Sequence, residues 1–312
     1  KAVEKTIAEI FEREVSVYFV ATGTAANALS IASFNKPGGI TFCHENAHVA
    51  EDECGAGEYL TGGSRLSLIP GADGKMDLAT LEKAIARNPA AFVHGGQPMG
   101  ITITQATEAG TVHALDEIRA ISAIAKSNNL PLHMDGARFA NALVSLGCTP
   151  AEMTWKSGVD ILSFGATKNG CWCAEAIVVF DKALDAQMPF LRKRGAQLFS
   201  KSRFIAAQFE AYFEGDLWLD SARHANAMAT VLAEGIAKSG RARLHTKPQA
   251  NEVFAILTNA DIERLRAAGA VFYDWHAPSD GSVKHGETMI RLVTSFATCL
   301  EEADNLIARI KT

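Results

Sequence analysis

No stretch of the 312 residues approaches the roughly 18 continuous apolar residues that a membrane span requires, and no signal-peptide pattern opens the chain. Positive charge is not in excess either. Lys and Arg number 30 against 35 Asp and Glu, a net charge of −5, which offers nothing to nucleic acid or to an anionic membrane surface. Cysteine is sparse and scattered: of Cys43, Cys54, Cys148, Cys171, Cys173 and Cys299, only Cys171 and Cys173 are close, with one residue between them. A zinc site favours paired C-x-x-C spacings and a disulfide scaffold a shorter chain, so these read as reduced thiols of a cytoplasmic protein. The G-x-x-x-x-G-K-[ST] and G-x-G-x-x-G fingerprints are both missing, which leaves the P-loop and dinucleotide readings unsupported. Internal repeats and low-complexity linkers are missing too. What is there is an ordinary composition, 48% hydrophobic and 21% charged, in a chain long enough for a full core, with a small molecule as the expected partner.

The chain opens on "KAVEKTIAEIFE", an amphipathic helix pattern (Val3, Ile7, Ile10, Phe11) with no initiating Met, which implies that some N-terminal sequence precedes it. From Val15 onward, strand-like and helical runs alternate. They are "VSVYFVATGTAANALSIASF", "GITFCHENAHVAEDECGA", "RLSLIP", "DLATLEKAIAR", "AAFVHG", "ITITQA", "LDEIRAISAIAKSNN", "LPLHMDGARFANALVSLG" and "DILSFGATKNG". This β-then-α order predicts an α/β fold with an open, mainly parallel sheet covered by helices on both faces. A long helical stretch is expected from about Ala183 to Lys238. After Gly240 come "RLHTKPQANEVFAIL", "ADIERLRAAG", "VFYDW" and "TMIRLVTSF", then a closing amphipathic helix over Glu301 to Ile310. The expected organisation is a large α/β domain over residues 1–200, with a helical connection to about 238, and a small α+β domain over 239–312.

Ligands of open α/β sheets collect outside the carboxyl ends of the strands, so residues just after each strand carry the most information. Lys168 lies between two apolar runs, Ile161 to Phe164 and Ala176 to Phe180, with small neighbours Ala166, Thr167, Asn169 and Gly170. A lysine on a buried apolar rim loses hydration, its pKa falls, and its amine becomes a nucleophile of the Schiff-base kind; on a solvated turn it does none of this. Asp135 ends the strand-like run Leu130 to Met134 and reads either as a helix cap or as the partner of a protonated heterocyclic nitrogen. Gly23, Thr24 and Ala25 open a helix directly after the strand Val15 to Val20, which makes either a cap or a phosphate site. A phosphate cradle, a carboxylate and a lysine together match the demands of pyridoxal 5′-phosphate.

"ATGTAAN", "ENAHVAEDECGA", "TQATEAGTV", "HMDGARFANAL", "SFGATKNG" and "IRLVTSF" resemble, in order and over nearly the whole chain, the low-specificity L-threonine aldolases. The resemblance implies the fold-type I pyridoxal-phosphate architecture, with a seven-stranded sheet, and retro-aldol cleavage of L-threonine, L-allo-threonine and related β-hydroxy-α-amino acids to glycine and an aldehyde. It implies that Lys168 bonds the cofactor, that Asp135 pairs with the pyridine nitrogen, and that Gly23, Thr24 and Ala25 bind the phosphate. His48 matches the histidine stacked on the cofactor ring and Glu53 an acidic residue near the substrate hydroxyl; one of the two is the expected base. Arg138 and Arg291 match the arginines that receive the substrate carboxylate. No metal is implied. A homodimer or homotetramer with shared active sites is, and apolar residues within Leu198 to Trp218 could cover its interface or belong to the core. Where many relatives carry "GGGMRQ" this chain has "GAQLFSKSRF", which leaves Lys201 and Arg203 as candidate phosphate contacts, and the family's N-terminal Ser-Asp-Asn type segment is absent from the sequence. The alternatives are another fold-type I enzyme (a β-eliminating lyase or an aminotransferase), a nucleotide-binding α/β protein, or a non-catalytic relative.

Overall fold

The computed structural model describes every residue except Ser279. Eleven strands form two sheets among the described residues. The large sheet contains β1 (Ser16–Val20), β2 (Gly39–His44), β3 (Arg65–Ile69), β4 (Gln97–Thr104), β5 (Leu132–Gly136), β6 (Ile161–Gly165) and β7 (Glu175–Val179), in the order β1-β7-β6-β5-β4-β2-β3. Its β2–β3, β2–β4, β4–β5 and β5–β6 pairings are parallel, and β7 runs antiparallel to both β1 and β6. The five residues of β5, β6 and β7 are all buried, as helices on both faces require, and their near-continuous apolar runs made them legible as strands. The small sheet, ordered β10-β11-β9-β8, is antiparallel throughout and joins β8 (Arg243–Leu244), β9 (Glu252–Thr258), β10 (Tyr273–Trp275) and β11 (Glu287–Val293). Val253, Ala255 and Leu257 of β9 pack with the helices Leu217–Ala237 and Leu300–Lys311, while Phe254 and Ile256 face the other way, against Met289 and Trp275.

One sequence expectation is corrected. "AAFVHG" is an exposed turn rather than a strand, with Phe92 and Val93 in solvent; Pro89 and the pair Gly95–Gly96 bracket it and break any regular ladder. The stretch from Ala183 to Lys238 is largely helical, in several pieces. It divides into Met188–Arg194, Arg203–Phe213 and Leu217–Ala237, interrupted at Gly195 and at Gly215, whose φ of +57° lies in the left-handed region. Within Leu198 to Trp218 the apolar side chains split: Ile205, Phe209, Tyr212 and Trp218 are core, whereas Leu198, Phe204 and Leu217 are exposed.

Candidate active site

Close backbone contact at the ends of β5 and β6 brings Asp135 and Lys168 to neighbouring positions. A Cβ on Gly136 would stand 2.7 Å from the Ser163 carbonyl oxygen, and one on Gly165 would stand 2.8 Å from the Ala137 backbone, so only glycine allows the two strand ends to approach. Asp135 is buried, and it is not a helix cap, because the following helix, Phe139–Leu146, begins after Arg138. One Asp135 oxygen accepts the Ala137 N–H at 3.0 Å and the other accepts Asn27 Nδ2 at 2.8 Å. Two residues earlier on β5, His133 is fully buried, hydrogen-bonded to Thr102 and Ser163, and held neutral by burial, which pulls its pKa down to about 3. This network locks β5 to β4 and β6 beneath Asp135.

Lys168 stands on a single helical turn, Thr167–Asn169, pinned from both sides. Asn169 donates to the Tyr212 hydroxyl and the Trp218 carbonyl, and the Ala174 N–H donates to Thr167 Oγ1. The side chain itself is exposed, not buried on an apolar rim as the sequence suggests. Its pKa is lowered all the same. The largest cause is the Arg138 guanidinium, desolvation is second, and Glu108, Asp135 and Glu252 oppose the shift. The residue as a whole is exposed, yet Arg138, Glu108, Asp135 and Glu252 lie close enough to act on its amine. Glu175 starts β7, paired with Val20 and Gly165, and burial pushes its carboxyl up to about 7, against the pull of Thr167 in the lysine turn.

The helix Gly23–Ser33 is capped by Thr22, whose hydroxyl accepts the Ala25 N–H at 3.1 Å. Ala25 is therefore engaged, and the free donors at that end are the N–H groups of Gly23 and Thr24. Open space lies beyond Gly23, where an added Cβ would meet nothing within 4 Å. The "GAQLFSKSRF" segment reaches this end through Gln197, which accepts the Ala21 N–H at 3.0 Å, while Lys201 and Arg203 are exposed and make no ion pair among the described residues.

His48 begins the short helix His48–Glu51, and its Nδ1 lies 2.9 Å from Glu53 Oε1. The same carboxylate oxygen accepts Asn27 Nδ2 at 2.8 Å, so one amide bridges Glu53 and Asp135. The Glu53 hydrogen bond raises the His48 pKa, and burial raises that of Glu53. His48, Glu53 and Asp135 come within 4.8 Å of one another, close enough for a divalent cation. Asn27 turns a donor, not an acceptor, toward both carboxylates, which suits a hydrogen-bonded cluster and not a metal shell. Arg138 and Arg291 do converge, and they do so on a carboxylate. Glu252 Oε1 lies 2.8 Å from Arg138 Nη2 and 3.6 Å from Arg291 Nη1, Glu108 is 3.9 Å from Arg291, and the Arg291 guanidinium lies 4.0 Å from the centre of the Trp275 ring.

Asn27, Glu108, Glu175 and Glu252 were not picked out by sequence reasoning. Glu252 had a signal, a charge at the head of the buried run "EVFAIL"; Asn27 had a weaker one, a carboxamide in the first turns of an otherwise apolar helix. The six cysteines are all free thiols, and no described helix is long and apolar enough to cross a membrane.

Residues 1–260 match the family model of the beta-eliminating lyases. The chain is 41% identical over 304 residues to the low specificity L-threonine aldolase of Pseudomonas aeruginosa, covering 97% of this chain and 84% of that protein. It is 42% identical over 266 residues to the low specificity L-threonine aldolase of another Pseudomonas strain, covering 85% of this chain and 76% of that one. Among solved structures, the threonine aldolase of Leishmania major superposes with a TM-score of 0.91 at 30% identity, covering 99% of this chain and 87% of that one. The sheet order, the site at the strand ends and these likenesses together place the chain in the beta-eliminating lyase family and, within it, among the low-specificity L-threonine aldolases.

Proposed function

We propose that this chain cleaves L-threonine, L-allo-threonine and related β-hydroxy-α-amino acids to glycine and an aldehyde with the help of pyridoxal 5′-phosphate. The meeting of Lys168 and Asp135 at the glycine-lined ends of β5 and β6 carries the reading, because a nucleophilic amine and a buried carboxylate are what that group needs at its two reactive ends. The residues present fit it. Gly23 and Thr24 supply free N–H groups at a helix N-terminus for the phosphate, Asp135 is fixed by two donors and takes no ion pair among the described residues, and His48 stands beside both carboxylates. When bound, pyridoxal phosphate would supply an electron sink conjugated, through the substrate's amino nitrogen, to its α-carbon.

The chain's own groups do the rest. Arg138 lowers the Lys168 pKa and so enlarges the fraction of neutral, nucleophilic amine near neutral pH. Arg138 and Arg291 bind the substrate carboxylate as a pair. Glu53, an acceptor toward Asn27, accepts a hydrogen bond from His48 Nδ1–H and so leaves Nε2 as the ring nitrogen with a free lone pair. His48 Nε2 takes the β-hydroxyl proton as the Cα–Cβ bond breaks, and Glu53 holds the tautomer and steadies the charge.

The assembly and setting belong to the same reading. A homodimer or homotetramer is supported by the exposed Trp172, four residues after Lys168, and by Phe204 nearby in the fold, since the Trp172 N–H bonds Gln208 of the same helix. A cytoplasmic setting is supported by free thiols at the exposed Cys54 and Cys299. The test is glycine release from L-threonine with matching acetaldehyde by the cofactor-loaded protein. Wild type is expected to release both in equal amounts and Lys168→Ala neither; a wild type that releases neither, or a fully active Lys168→Ala, refutes the proposal.

A further inference from the structure

Glu252 takes no part in the chemistry just described, yet it is fully buried between the two arginines assigned to the substrate. Strand alternation turns it away from the Val253, Ala255 and Leu257 face of β9 and toward Arg138 and Arg291. Its carboxylate is ion-paired but under-bonded. Neither oxygen makes a hydrogen bond of good geometry among the described residues, and Nε of Arg138 and Nε of Arg291 lack a partner as well. A carboxylate between two guanidinium groups reproduces the contact that the carboxylate of an α-amino acid would make with the same side chains.

We propose that Glu252 is a built-in competitor for the substrate carboxylate: it holds Arg138 and Arg291, and an amino acid binds by taking them over. The inference rests on the aldolase reading for the role of the two arginines. It makes Glu252 a positioning residue that sets affinity rather than rate. The charged groups facing it are Arg138 from the turn after β5, Glu108 from the loop after β4, Arg291 from β11 and Lys168 from the turn after β6. Burial raises its carboxyl pKa, and Glu108 adds to the rise, against the pull of Arg138, Arg291 and Lys168. A protonated Glu252 releases the arginines, so carboxylate ligands bind best at low pH and more weakly as Glu252 ionises.

The probe is β-hydroxybutyrate, which has the substrate's carboxylate and β-hydroxyl but no amine. Its dissociation constant is measured on the cofactor-loaded protein by thermal shift, without turnover, across a pH series. Glu252→Gln is expected to bind it about tenfold more tightly than wild type and to flatten the pH trend. The KM for L-threonine is expected to fall with kcat little changed. Glu252→Asp, which keeps the charge but withdraws it from the arginines, is expected to move binding in the same direction by a smaller factor. Equal or weaker binding in either folded variant overturns the proposal, as does wild-type binding that fails to weaken with rising pH. A protein that cleaves no L-threonine would count against the aldolase reading alone, because the binding series needs no catalysis.

Discussion

Asn27 and His48 carry the most exposed part of the mechanism. Asn27 donates to two buried carboxylates at once, so Asn27→Ala would leave Glu53 and Asp135 facing each other with less compensation. A loss of about 1–3 kcal/mol in urea unfolding is expected, with weaker uptake of pyridoxal phosphate in an absorbance titration. The pH dependence follows from His48. Its raised pKa means that the base form appears only above the ordinary value of 6.5, so kcat/KM should rise with pH through a value higher than that. His48→Gln should remove the rise. Stability runs the other way. A raised pKa means that folding binds protons, so the pair contributes fully below 6.5 and its contribution is lost as pH rises through the raised value. The thermal-midpoint gap between wild type and His48→Gln should therefore narrow with rising pH, and a constant gap would contradict the pairing. Of this site, Lys168, Asp135, His48 and Glu53 were legible because each stands in a short distinctive block after a strand. Glu252 and Glu108 were not, because their meaning comes from partners far away in the chain: Arg138 approaches Glu252, and Arg291 approaches both acids, only once the two sheets are in place.

The decisive elements are the glycine-bearing strand ends. Gly165→Ala would drive a methyl into the Ala137 backbone, and backbone on both sides cannot give way cheaply. A destabilisation of about 1–3 kcal/mol is expected in urea unfolding, with β5 and β6 displaced enough to weaken cofactor retention. Full stability with unchanged retention would show that the close approach is dispensable. Strand-and-helix order was readable here because buried parallel strands are near-continuous apolar runs. Local pattern failed where tertiary setting overrode it: the apolar "AAFVHG" is a surface turn. Capping misled in a smaller way, since Thr22, just outside the helix, takes the Ala25 amide that the sequence offered to a phosphate.

At the scale of the whole molecule, the large sheet and its loops carry Lys168, Asp135, Glu53 and Arg138, and the small sheet carries Arg291 and Glu252, so the proposed substrate pocket falls where the two meet. Sedimentation equilibrium is expected to find a dimer or tetramer, and Trp172→Asp to shift it toward smaller species; a strictly monomeric active protein would contradict the shared assembly. Lys168 as the covalent anchor of the cofactor is the claim on which the rest depends. Borohydride reduction of the pyridoxal-phosphate-loaded protein followed by peptide mapping tests it most directly. A single reduced adduct on Lys168, lost in Lys168→Ala, is predicted; an adduct on another lysine, or none, would contradict it.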